Sequence, residues 1–310
     1  MTVKTDSSKV LISGATGWLG TESVARVLEG KFEGISEQNL LLCSSDGRNL
    51  KLDSSNILPT VKLQSLSGDN GIKDLNGFVH LAFLTKDKSA EYSFSDYVSK
   101  NIALISSACE IIERDKPKWV VVVSSGAIMD RNSLEVEHNV VRNPYGFCKR
   151  IEEVLLLDSA RKIGANIVIG RLWGGTGLHM PIKRAYAISD FIETFKESGS
   201  IRITSGGDVL RRYCDVGDFM EVLIKSAIRG DNKTVDSGGP IIELGDLAEL
   251  LISVTGTGSI SRSSEPSAID DYYPRGMEFE ALAHSVGVPL HGISEQVLRT
   301  LTSHKVKTVR

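Results

Sequence analysis

Cysteine is scarce in this sequence: four residues in 310, Cys43, Cys109, Cys148 and Cys214, all far apart. No two form a CxxC pair and none clusters with histidine, which excludes a disulfide framework and a cysteine-ligated zinc site. The four are expected to be buried apolar thiols in a reducing compartment, and no metal is expected. Long hydrophobic runs are lacking too. Stretches such as Val120–Val123 are far too short to span a bilayer, and the polar segment Met1 to Lys9 carries no apolar core of a secretory leader. A cytoplasmic protein without membrane contact is the expectation. Nor does charge of one sign dominate: 36 basic against 39 acidic residues leave a net charge of −3, which gives no reason to expect nucleic acid. The short basic tail, His304 to Arg310, reads as a solvated end.

What is present is a chain with enough apolar residues, 41%, for a real core, and longer than one typical domain. Short apolar runs alternate with helical patterns through the first half: Val10–Ile12, Leu40–Leu42, Phe78–Leu81, Val120–Val123 and Ile167–Ile169. Runs of this kind suit strands buried on both faces, and the intervening helices give the order βαβα. The expected fold is α/β, a Rossmann-type doubly wound parallel sheet, with a smaller, partly discontinuous C-terminal substrate domain. The dinucleotide-binding domain is expected over 1–172, rejoined by about 212–250. The substrate domain is expected over 173–211 and 251–310.

The run Val10-Leu11-Ile12-Ser13 leads into Gly14-Ala15-Thr16-Gly17-Trp18-Leu19-Gly20, and a helical apolar spacing follows at Val24, Val27 and Leu28. Each glycine has its own reason. Gly14 makes the tight turn, Gly17 lets backbone N–H groups reach a pyrophosphate, and Gly20 lets the helix pack close to the strand. Free N–H groups at the helix N-terminus then face the phosphates, so Thr16, Trp18 and Leu19 are expected at the dinucleotide as well. After the second strand, Ser44, Ser45 and Arg48 suit a 2′-phosphate and favour NADP. Alternatively Asp46 binds the ribose hydroxyl, Arg48 is solvated, and the cofactor is NAD.

In Asn143-Pro144-Tyr145-Gly146-Phe147-Cys148-Lys149, Asn143 suits an N-cap and Pro144 the first helical position. Tyr145 and Lys149 then share one helix face. A phenol of ordinary pKa near ~10 is a poor proton carrier at neutral pH. A lysine cation beside it, with an oxidised nicotinamide, favours the phenolate. Ser124 and Ser125 end an apolar strand, where open α/β sheets hold ligands.

On these residues the chain resembles the extended short-chain dehydrogenase/reductases, and within them the NAD-dependent epimerase/dehydratase group that works largely on nucleotide sugars. The likeness runs from Lys9 to about Asp218, through the glycine turn, His80-Leu81-Ala82, Asn101, Ser124-Ser125, and Tyr145 with Lys149. It implies that Ser125 is the catalytic serine (Ser124 the fallback) and binds the substrate oxygen, Tyr145 is the acid/base and Lys149 its helper, with Tyr145 and Lys149 also at the cofactor, where Lys149 bonds the nicotinamide ribose. Leu81 and Ala82 would line the cofactor cleft. Arg211, opening Arg211-Arg212-Tyr213-Cys214-Asp215-Val216-Gly217-Asp218, is similar to the family arginine on the substrate diphosphate. Arg275 is a second candidate, with a surface ion pair as the alternative for both. The resemblance also implies a homodimer, through helices near Asp96–Arg114 and Tyr145–Ile163.

Departures from the family pattern bear on substrate. Gly174 and Gly175 replace a side chain that commonly touches the sugar nucleotide, and Ser65 stands roughly where an aspartate usually meets adenine. Gly126-Ala127 replace the Asp-Glu pair of 4,6-dehydratases, which argues against dehydration. His179 is a lone histidine and is read as structural. The first reading is an NAD(P)-dependent keto-sugar reductase. The alternatives are a 4-epimerase with tightly bound NAD, a reductase of a non-sugar carbonyl compound, and a non-catalytic dinucleotide-binding protein.

Overall fold

The computed structural model describes residues 8–53, 55–66, 71–181 and 186–308. The first seven residues of the polar start and the last two of the basic tail lie outside them. Seven strands form one sheet: β1 (Lys9–Ser13), β2 (Leu40–Ser44), β3 (Val61–Lys62), β4 (Leu75–His80), β5 (Trp119–Ser125), β6 (Asn166–Leu172) and β7 (Lys233–Asp236). Their order is β7-β6-β5-β4-β1-β2-β3. The pairings β1–β2, β1–β4, β2–β3 and β4–β5 are parallel. Strand order thus reverses at β1, with β2 on one side and β4 on the other, which is the switch point where such sheets bind ligands. The expected Rossmann sheet is present, and every apolar run named from the sequence overlaps one of its strands.

The sequence explains why these elements form. In β5 the first six residues are buried and only Ser125 is partly open, as a strand covered on both faces requires. Helix α1 (Trp18–Leu28) follows β1, α2 (Phe94–Asp115) precedes β5, and α3 (Pro144–Ile163) follows it. Ser93 caps α2 by accepting from Asp96 N–H. Asn143 caps α3 by accepting from Gly146 N–H, with Pro144 at its first position and Gly164 in the left-handed conformation at its end. Helices α2 and α3 pack on each other. Their apolar faces bury Ile111, Ile112 and Leu156 against Leu11, Phe78 and Val120 of the sheet. Each such side chain contributes roughly 1.5–3 kcal/mol by leaving water.

The chain divides into two compact units. One comprises the residues up to Asp130, Glu135–Arg171 and Met220–Val235. The other comprises Arg131–Leu134, Leu172–Phe219 and the residues from Asp236 on. The second unit is built of short pairs: Ser200–Ile203 with Ser259–Arg262 (parallel), Leu210–Arg212 with Ile241–Glu243 (antiparallel), and Gly175–Thr176 with Cys214–Asp215 (parallel). Its helices include Ala187–Ser198, Leu244–Thr255 and Ile293–Ser303. All four cysteines are free thiols; three are buried and Cys109 is half-buried. Burial pushes the Cys43 thiol up to about 12, which makes it inert. Among the described residues, no helix is long and apolar enough to cross a membrane.

Candidate active site

The glycine turn leaves the end of β1. Gly14 has φ +70°, and a Cβ there would meet the Leu81 carbonyl carbon at 2.8 Å. Gly17 N–H closes the turn on Gly14 O at 2.9 Å. Gly17 is also the N-cap of α1, extended, with no side chain capping the helix and no acid in its first turn. The helix dipole at this start favours an anion. Gly20 allows the close packing: a Cβ there would sit 2.4 Å from Gly14 O. Thr16, Trp18 and Leu19 are half-buried around the turn, as are Leu81 and Ala82 just past β4. This cradle fits a dinucleotide pyrophosphate.

The end of β2 is arranged differently from the 2′-phosphate pocket expected there. Ser44 is 3% exposed, and its hydroxyl is hydrogen-bonded to Thr60 Oγ1 at 2.7 Å. Ser45 and Arg48 are exposed. Asp46 Oδ1 accepts from Arg48 N–H at 3.1 Å, and Arg48 Nε lies 3.9 Å from the same oxygen. The Arg48 backbone N–H holds the Asp46 carboxyl below its ordinary range. A carboxylate thus stands beside the one cation proposed for a phosphate. Ser65 is exposed and donates to Lys62 O at 2.6 Å.

Ser124 and Ser125 point to opposite faces of β5, as the two-residue period of a strand requires. Ser124 Oγ is buried with no hydrogen-bond partner. Ser125 Oγ accepts from Ala127 N–H at 3.1 Å, and its hydroxyl favours the Tyr145 phenolate. Asn143 braces the helix start by donating from Nδ2 to Ala127 O at 2.6 Å. The Phe83 ring stands edge-on to Tyr145, 5.8 Å between centroids, and Lys149 Nζ lies 3.8 Å from the centre of the same ring.

Burial pushes the Tyr145 phenol up to about 12, outweighing the effect of Ser125. Lys149 Nζ donates to Val123 O at 2.7 Å and to Glu152 Oε2 at 2.8 Å. The charge of Glu152 raises the phenol further.

Two acids that the sequence analysis passed over belong to this region. Glu153 is 3% exposed and takes a two-pronged hydrogen bond from Arg171 (2.8 and 2.9 Å) and another from Arg150 at 2.9 Å. Burial alone would raise its carboxyl; the two arginines hold it below its ordinary range. Its contribution to stability is present at neutral pH and lost as pH falls through that lowered pKa. Breaking such a buried pair costs about 3–5 kcal/mol. Glu152 is its fully buried neighbour. The available signal was their spacing, three and four residues after Lys149, which places both within reach of the lysine's side of the helix. Asn101 secures the loop after β4, accepting from Leu84 N–H at 2.9 Å.

In the second unit, Arg211 donates from Nη1 and Nη2 to the two oxygens of Asp270, at 3.1 and 2.6 Å. Arg131 reaches the same carboxylate at 2.6 Å. Arg275 pairs with Asp271 and lies 4.2 Å from the Tyr273 ring centre, so the two candidate arginines bind neighbouring acids rather than one. Arg212 is buried and bonded to Glu280, Gly239 O and Pro274 O, which makes it a structural anchor. Gly174 packs tightly: a Cβ there would lie 2.5 Å from Arg212 O. His179 adopts a left-handed backbone, φ +54°.

Sheet order, the glycine turn, the strand-end serines and the Tyr145–Lys149 spacing together mark a Rossmann-type protein of the short-chain dehydrogenase/reductase kind. A model of the "NAD dependent epimerase/dehydratase family" matches residues 10–238, and the chain belongs to that family. A putative UDP-glucose 4-epimerase of Methanocaldococcus jannaschii is 25% identical over 74% of this chain and 76% of its own. UDP-glucuronic acid decarboxylase 3 of Arabidopsis thaliana is 28% identical over 36% of this chain, a match spanning about a third (34%) of that relative's length. Among solved structures, a UDP-N-acetylglucosamine 4-epimerase from Methanobrevibacter ruminantium M1, in complex with UDP-N-acetylmuramic acid, superposes with TM-score 0.76 at 17% identity, over 96% of this chain and 98% of that one. UDP-glucose 4-epimerase from Brucella ovis, in complex with NAD, gives 0.73 at 16% identity, over 97% and 99%. At these identities the structural likeness is one of fold.

Proposed function

We propose that this protein is a nucleotide-sugar 4-epimerase that works with retained NAD. The observation that carries the reading is that Ser125 at the end of β5, Tyr145 with Lys149 one turn on along α3, and the glycine turn all fall in one compact unit. When bound, the nicotinamide supplies the hydride acceptor. Tyr145 takes the proton of the substrate hydroxyl and returns it, and Ser125 holds that oxygen. The reductase placed first from the sequence draws no support from the relatives, two of which carry 4-epimerase names. Turnover of UDP-glucose to UDP-galactose by the purified protein, without added reductant, is the direct test. Consumption of NADPH with a keto-sugar and no epimerisation would restore the reductase.

NAD is the favoured cofactor because the Asp46 carboxylate, just past the end of β2 and beside Arg48, suits a ribose 2′-hydroxyl and repels a 2′-phosphate. NADH should therefore bind more tightly than NADPH in a fluorescence titration. Asp46→Ala should weaken NADH by about ten- to a hundredfold, the loss of a hydrogen bond to a charged group. Unchanged NADH affinity in that variant, or an NADPH preference in the parent, returns Ser44, Ser45 and Arg48 to the phosphate role.

Arg211 is assigned to the substrate diphosphate, for which its paired donors suit a phosphate as they now suit Asp270. Arg211→Ala should weaken UDP-sugar binding by roughly thirty- to a hundredfold in calorimetry, with NAD binding untouched. No change in UDP-sugar affinity would favour a non-sugar carbonyl substrate. Homodimerisation through α2 and α3 draws support from Val154 and Leu155, apolar and exposed on α3.

A further inference from the structure

Glu152 has no part in the roles assigned so far, yet it sits at their centre. Its side chain is wholly buried. Oε2 accepts from Lys149 Nζ at 2.8 Å. Oε1 has no hydrogen-bond partner and faces His80 Nε2 at 3.5 Å. The other side of the histidine fixes its tautomer. Ser13 Oγ accepts from the N–H groups of Leu81 and Ala82, at 3.1 and 3.3 Å, so its own proton goes to His80 Nδ1 at 2.9 Å. Burial, then the Lys149 charge, pushes His80 down to about 3, so the ring is neutral and its single proton sits on Nε2, 3.5 Å from Glu152 Oε1 and without a hydrogen bond. Ser13, His80, Glu152 and Lys149 thus form a buried polar row from the residue before the glycine turn to the helix that carries Tyr145.

An isolated carboxylate at this depth is costly, and the Lys149 ammonium is what compensates it. The converse also holds: a charge spent on Glu152 is not available to the phenol. We propose that Glu152 is a positioning residue for proton transfer at Tyr145, which anchors the Lys149 ammonium against Val123 O and offsets its charge so that the lysine alone does not ionise the phenol. This rests on the reading that Tyr145 moves the proton. The groups facing Glu152 are Lys149, Cys148 and Glu153 from α3 and His80 from β4, while β5 presents the Val123 carbonyl. Burial raises the Glu152 carboxyl and Lys149 lowers it. Acting on Tyr145 are Glu152 and Asp87, which disfavour the phenolate, and Ser125, which favours it. Removing the Glu152 charge stabilises the phenolate, so the ionisation of Tyr145 moves to lower pH.

The test is an ultraviolet titration of the phenolate in the NAD-loaded protein, with the Tyr145→Phe protein subtracted to isolate Tyr145. In Glu152→Gln, which keeps the shape and loses the charge, the midpoint should fall by about one pH unit. Glu152→Asp, which keeps the charge, should titrate like the parent. A folded Glu152→Gln protein with an unmoved midpoint overturns the proposal and leaves the proton-transfer reading intact. Failure of both variants to fold assigns Glu152 to stability alone and overturns it too. Absence of any Tyr145 phenolate signal in the parent removes the proton-transfer reading and the proposal together.

Discussion

Replacing Tyr145 by Phe should lower epimerisation of UDP-glucose by about 10²–10⁴-fold, the usual worth of a positioned acid/base group. The phenol is the group assigned to proton transfer, and Phe keeps the ring that stands edge-on to Phe83. Stability should therefore change by only about 1 kcal/mol, for one lost hydrogen bond. NAD affinity should not change, because the glycine turn and Asp46 are untouched. The measurement is product formation beside a nucleotide titration on the same protein. Turnover within a few-fold of the parent would remove Tyr145 from the chemistry and leave the chain a dinucleotide binder on an enzyme fold.

Gly14→Val should abolish dinucleotide binding. The position combines φ +70° with a Cβ site 2.8 Å from the Leu81 backbone, and valine is the worst fit to both. Neither β1 nor the chain after β4 can yield without breaking the sheet pairing from Ser13 to His80. Strain and overlap together should cost roughly 2–6 kcal/mol of stability. NAD affinity should fall by a hundredfold or more, about 3 kcal/mol, since the turn and the start of α1 move together. Chemical denaturation and nucleotide titration read the two effects separately. Wild-type NAD affinity in a folded Gly14→Val protein would place the dinucleotide elsewhere.

Much of this site is legible in the chain because its signals are local. Asn143, Pro144 and the Tyr145–Lys149 spacing specify a helix start and a shared face within a few residues, and Asn143 is indeed the cap. The glycines of the turn declare a backbone that only they adopt or that only they let approach, again within seven residues. The apolar runs announce strands buried on both faces. What eluded the reading has partners far away in sequence. Glu152 and Glu153 look like any acids on a solvated helix until β4 brings His80, and β6 brings Arg171, to them. Ser44 reads as an open hydroxyl until Thr60, sixteen residues on, binds it.

The sequence by itself determined the sheet and the glycine turn and put forward Ser125, Tyr145 and Lys149, since hydrophobic period, φ preference and helical spacing are properties of short segments. Only the tertiary structure decided the charge balance within that set. A lysine's partner depends on which carboxylate and which carbonyl folding brings near it, and how deeply they are buried. Lys149 donates to Glu152 and Val123, and burial holds the Tyr145 phenol high.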